Sequence, residues 1–213
     1  MKFGDVLRIV GDEPVFETGL LLAGDVDPGD VRRQLSRWVD NGRLIQLRRG
    51  LYALAAPFRK AKPHPFVVAN RLMPGSYVSC QSVLAHYGLI PEYVPMTTSV
   101  GPGRPHRWDT PLGSYSFRHL QEALISGFEL KEVGDGLRAY VAKPEKALLD
   151  LVYLTPDADS DAYLEELRLQ NLEQLSGDEL TRLAGTIGKP KLQRAAEKIL
   201  RLAEDEALSY ETL

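Results

Sequence analysis

The chain holds a single cysteine, Cys80, among 213 residues. That excludes an internal disulfide and any metal site built on several thiolates, and it fits a reducing compartment. Histidine is scarce as well, and His64, His86, His106 and His119 show no zinc-motif spacing. No apolar run follows a basic start, so no signal peptide is expected. No run approaches the roughly 20 apolar residues that span a bilayer. A cytoplasmic protein without membrane association is the expectation. The chain lacks internal repeats and low-complexity tracts, and its Gly101-Pro102-Gly103-Arg104 stretch lacks the Lys-Ser/Thr of a phosphate loop. That stretch reads as a hairpin tip. No catalytic, metal or cofactor site is expected.

What the chain does have is an uneven distribution of charge. Its formal net charge is −3. Yet residues 1–62 carry eleven basic and eight acidic groups, and residues 63–213 carry fifteen and twenty-one. The excess concentrates further. Between residues 31 and 62 stand nine Lys or Arg against one acid, Asp40. Such a local surplus suits a polyphosphate partner, whereas the remainder repels one on average.

The surplus sits on a recognisable pattern, DPGDVRRQLSRWVDNGRLIQLRRGLYAL from Asp27 to Leu54. Asp27 is a good N-cap and Pro28 suits the first helical position. Val31, Leu35, Trp38 and Val39 form one helical stripe. Gly42 fits a stop that needs positive φ. Two short strands follow around Arg48-Arg49-Gly50. Gly29, Arg33, Ser36 and Arg37 fall opposite the stripe, with Arg32 on the flank. Upstream, Phe3, Val6, Leu7 and Val10 predict a short helix ended by Gly11, and 14–16 an extended entry. A second helix is predicted over 17–23, with a turn at Gly24-Asp25-Val26.

Three helices and a hairpin, the third helix basic, read as a winged helix-turn-helix over residues 1–60. In that geometry the third helix enters the major groove of double-stranded DNA. Arg33 and Arg37, one turn apart, suit guanine O6 and N7, with Ser36 between them. Arg48 and Arg49 suit phosphates, and Arg43 is a further phosphate candidate. Trp38 and Tyr52 read as core.

Pro57–Pro65 reads as an extended solvated connector. Residues 61–213 then read as a mixed α/β domain with a helical end, giving an α+β protein. Helices are predicted over 64–73, 82–87, 144–153, 161–169, 177–187 and 190–207. Strands are predicted over 76–79, 94–100, 112–120, 128–133 and 137–141, with 101–109 as a loop. Glu129-Leu130-Lys131 has the form used by metal-dependent nucleases, which need an upstream acid to share the metal; Asp109 is the nearest. Alternating charge on an exposed strand explains the tripeptide better, and the nuclease stands as the alternative. Glu145, Lys146 and Asp150 read as a helix start with an i,i+4 surface pair.

Taken in order, the RRGLYAL hairpin, SCQSVLAHYGLIPEYVPMTTSV and AKPEKALLDLVYL resemble the AbiEi family, the antitoxin and regulator components of AbiE-type abortive-infection systems. The likeness runs from about Val6 to about Leu202. It implies a winged helix that binds inverted repeats in its own promoter and represses it. It also implies an antitoxin role for the C-terminal domain against a nucleotidyltransferase toxin, without a stable complex. By position, Arg33, Ser36 and Arg37 become recognition-helix contacts, and Arg48 and Arg49 wing contacts. A monomer or weak dimer in solution with two copies on DNA is implied. A member without a toxin is a stand-alone regulator.

Overall fold

The computed structural model of the chain describes residues 1–23 and 26–211, with side chains through residue 208. The predicted turn at Gly24-Asp25 lies outside the described residues. The chain is α+β. Helix α1 spans Phe3–Val10, strand β1 Phe16–Glu17 and helix α2 Thr18–Leu21. Helix α3 spans Pro28–Asp40, and strands β2 and β3 span Leu44–Arg48 and Leu51–Leu54. The local causes are those read from the sequence. The Asp27 carboxylate accepts from Asp30 N at 2.7 Å, satisfying one orphan donor of the helix. Gly42 takes φ +67° just after the last turn, a conformation disfavoured for a side chain with a Cβ.

The second part begins with α4 (Pro65–Leu72), β4 (Tyr77–Val78) and α5 (Gln81–His86). Strands β5 (Met96–Gly101), β6 (His106–Thr110), β7 (Gly113–His119), β8 (Phe128–Gly134) and β9 (Leu137–Ala142) follow. The end is helical: α6 (Pro144–Leu154), α7 (Asp161–Glu166), α8 (Gly177–Ile187) and α9 (Pro190–Glu211). The larger sheet is mixed, in the order β6-β7-β5-β4-β9-β8. Among the described residues no helix is long and apolar enough to cross a membrane.

Two sequence expectations change here. Residues 106–109, expected in a loop, belong with Thr110 to edge strand β6, antiparallel to β7. Strand β7 runs parallel to β5, so the Gly101–Gly103 segment is a crossing between non-adjacent strands and not a hairpin tip. The connector is also not simply solvated. Phe58 packs edge-on against Phe3 at 5.0 Å, and Lys60 pairs with Asp12 at 3.0 Å.

The smaller sheet, β1-β3-β2, has two covered faces. Side chains alternate along β3. Tyr52 and Leu54 join Val6, Val31, Leu35 and Trp38 in the core beneath α3. Leu51 and Ala53, with Leu47, join the core of the larger sheet instead. All four residues of β3 are buried. The chain changes sheets near residue 60, but its apolar packing continues through the hairpin.

Helix α6 carries the largest departure from the sequence reading. Lys146 and Asp150 are each 1% exposed, so the expected surface pair is a buried ion pair. The helix is covered on every side, by Ala147, Leu148, Leu149, Leu151 and Val152 packing into the core. Asp150 also accepts from Tyr77 Oη at 3.0 Å and from Ser79 Oγ at 2.7 Å. Burial pushes its carboxyl upward, against the pull of the Lys146 ammonium. Gly127, at φ +68°, lets the chain pass this helix: a Cβ there would sit 3.1 Å from Lys146 Cβ.

Two outcomes are expected. Lys146→Met strands a buried carboxylate and costs about 3–5 kcal/mol in urea denaturation, while the Lys146→Met/Asp150→Leu double recovers much of it. A single-variant loss below about 1 kcal/mol would contradict the buried pair. Burial, and then the neighbouring Asp150 charge, push the Cys80 thiol up to about 12. Alkylation of Cys80 at pH 8 is therefore expected only at the rate of unfolding, because the thiolate is the reactive form. Fast alkylation of the native chain would contradict this.

Candidate nucleic-acid interface

Helix α3 presents two unlike faces. Val31, Leu35 and Trp38 are buried, and Trp38 lies 5.5 Å from the Phe3 ring, which fixes it as core. Arg32, Arg33, Ser36 and Arg37 are all exposed. The Arg33 guanidinium is 75% exposed and pairs with Asp30 one turn earlier. An exposed pair of this kind contributes at most about 1 kcal/mol, so it orients Arg33 without removing it from a competing anion. No polar partner within the described residues holds the side chains of Arg32, Ser36 or Arg37.

Arg37 borders an open groove of about 430 Å³ lined also by Gln34, Asn41, Arg43, Lys2 and Phe3. Arg43 is exposed, and its guanidinium lies 5.1 Å from the Phe3 ring centroid. The aromatic face holds that cation beside α3 without consuming its hydrogen-bond donors. Lys2, Gln34 and Asn41 were not singled out from the sequence. Lys2 is remote in the chain, and Gln34 and Asn41 carry no charge to draw notice.

The hairpin tip divides its two arginines. Arg49 is exposed and its side chain is uncommitted. Arg48 is not available. Its Nε donates to Leu72 O at 3.2 Å and its Nη2 to Arg71 O at 3.3 Å. Its Nη2 also lies 3.5 Å from Glu17 Oε1. A register shift between Gln46 and Arg48 sends Leu47 into the core and turns Arg48 toward α4. There the cation meets the last carbonyls of a helix, where the macrodipole favours positive charge. The phosphate role expected of Arg48 gives way to a structural one, and Arg49 is the tip arginine whose side chain is left open to solvent.

Elsewhere, Arg104, His106 and Arg107 form a second, smaller basic spot at the β6 edge of the large sheet. Its Arg107 pairs with Asp109 at 3.3 Å, and His106 lies 3.9 Å from the Trp108 ring. The nuclease alternative loses its geometry. Asp109 is on β6 and Glu129 on β8, the two outermost strands, which places them roughly 20 Å or more apart. Lys131 donates to Tyr87 Oη at 2.7 Å. Among the described residues no cluster of three His, Cys, Asp or Glu is placed to hold a metal ion.

The contrast between the two tip arginines is measurable. Arg48→Ala is expected to lower stability by roughly 1–3 kcal/mol, because it unpairs helix-end carbonyls. Arg49→Ala is expected to stay within about 0.5 kcal/mol of wild type. Equal stability losses, or a loss confined to Arg49→Ala, would contradict the assignment.

No protein-family model matches the chain, and no curated protein matches it. Among solved structures it is similar to the crystal structure of the RV2827C protein from Mycobacterium tuberculosis. The TM-score is 0.57 at 19% identity, over 93% of this chain and 75% of that one. At that identity the likeness is one of fold alone.

Proposed function

We propose that residues 1–60 form a winged helix-turn-helix and that the chain is a sequence-specific double-stranded DNA-binding regulator. The carrying observation is the α3 face itself. Arg32, Arg33, Ser36 and Arg37 stand exposed on a helix whose opposite side is locked into the core. In this reading α3 enters the major groove, with Arg33 and Arg37 reading base edges and Ser36 contacting a base or phosphate. Arg32, Arg43 and Arg49 hold phosphates, giving affinity without sequence choice.

The further proposal, autorepression at promoter inverted repeats and an antitoxin role against a nucleotidyltransferase toxin, is carried by the AbiEi resemblance of the three segments described above. Finding a nucleotidyltransferase reading frame beside this gene would support that half. Its absence favours a stand-alone regulator.

Fluorescence anisotropy with a duplex from the region upstream of the gene tests the DNA half. Arg33→Ala and Arg37→Ala are each expected to cost roughly 1–3 kcal/mol and to narrow the gap between specific and random duplexes. Arg49→Ala is expected to weaken both duplexes alike and to lower the salt slope by about one. Unchanged operator affinity in the Arg33→Ala/Arg37→Ala double variant would overturn the reading. So would binding indifferent to salt, since phosphate contacts release counterions.

A further inference from the structure

Strand β8 is the last strand of the large sheet, and no strand covers its outer edge among the described residues. It is also unusually apolar for an open edge. Phe128, Leu130 and Tyr140 are 36%, 51% and 48% exposed. Phe128 stacks on Tyr77 with ring centroids 4.5 Å apart and meets Tyr140 edge-on at 6.0 Å. Open edges of this kind are normally blunted by inward charge, proline or a covering loop. Here Lys131, half-buried on the face of Val133 and Ala139, supplies such a charge, and the edge ends at the irregularity between Glu132 and Gly134, but Phe128 and Leu130 leave the other face apolar.

The backbone polarity of the edge can be deduced. Leu130 lies opposite Tyr140 in the antiparallel β8–β9 ladder. The Tyr140 N–H donates to Asn70 Oδ1 at 2.6 Å, and Asn70 Nδ2 donates to the Tyr140 carbonyl at 3.3 Å. Both backbone groups of Tyr140 therefore point away from β8. The Leu130–Tyr140 pair is then a non-hydrogen-bonded one, and the N–H and C=O of Leu130 point to the open edge. By alternation, those of Phe128 and Glu132 do the same.

We infer that this edge pairs, antiparallel and about a two-fold axis, with β8 of a second copy of the chain, with Leu130 facing its own counterpart. Outward-pointing residues must meet outward-pointing ones, which leaves few registers. An axis at Glu129 sets two carboxylates face to face, and one at Lys131 sets two ammonium groups face to face. The axis at Leu130 instead places Glu129 opposite Lys131 of the second copy, twice by symmetry. Those positions are non-hydrogen-bonded, where side chains approach most closely. Lys131 keeps two donors beyond the one given to Tyr87. The Leu130 and Tyr140 surfaces of the two copies then run together on one face, Phe128 lies opposite Glu132 of the second copy, and one sheet spans both chains. This inference is independent of DNA binding.

Sedimentation velocity of the full chain over a concentration series tests it. Wild type is expected to form a concentration-dependent dimer. Glu129→Lys, which sets like charges opposite each other twice, is expected to raise the dimer dissociation constant roughly tenfold or more. Lys131→Glu is expected to do the same. An equimolar mixture of the two single variants is expected to restore dimers, because each ammonium-rich edge then meets a carboxylate-rich one. Should Lys131→Glu disturb the fold through loss of the Tyr87 contact, Leu130→Lys serves in its place as a dimer-breaking variant. A wild-type chain monomeric throughout the series would overturn the inference. A dimer indifferent to both Glu129→Lys and Leu130→Lys would also overturn it.

Discussion

The structure depends on a hairpin buried on both of its faces. In β3, alternate residues enter different cores: Tyr52 and Leu54 pack beneath the arginine-bearing helix, and Leu51 and Ala53 pack against the large sheet. A strand used this way cannot shift register without exchanging the two sets of side chains. Arg48 reinforces the junction by closing on the end of α4, and the Arg71–Glu13 pair at 3.4 Å adds a second tie. The exposed face of α3 is thereby fixed relative to the large sheet, where a flexible linker would have left it free.

Behind the hairpin, rigidity comes from an interior that is polar at its centre. Strand β4 is short, yet Tyr77 and Ser79 both reach the Asp150 carboxylate, which in turn holds Lys146. Partnered in this way, the buried charges avoid the cost of several kcal/mol that an unpaired one would carry. Glu145, also buried, accepts from Ser176 N at 2.7 Å and anchors the start of α8. Charged residues at the head of α6 thus organise the helical end of the chain from inside.

Much of this was legible in the sequence. The Asp27 cap, the Val31–Leu35–Trp38 stripe and the Gly42 stop each encode a local preference, and local preferences are what a single sequence displays. The faces of α3 followed from them. The fate of Arg48 did not, because a one-residue bulge in β2 and the distant end of α4 together decide it. Lys146 and Asp150 misled for a similar reason. Spacing alone reads an i,i+4 pair as a solvent face, whereas α5, α8, α9 and the β4 segment packed around α6 exclude the solvent. Strand β6 was missed because its residues, His106–Thr110, are mostly polar and exposed at the sheet edge, and its pairing with β7 follows a crossing from β5 that no local pattern announces.

One cooperative core runs through the hairpin and holds the arginine helix in place. Native-state hydrogen exchange on the full chain, across sub-denaturing urea, tests it most directly. The β3 amides of Tyr52–Leu54 are expected to exchange with the same free energy and the same urea dependence as those of β7 and α6, as one global unit. Exchange of residues 1–60 as a separate unit, at lower free energy and with a smaller urea dependence, would contradict it.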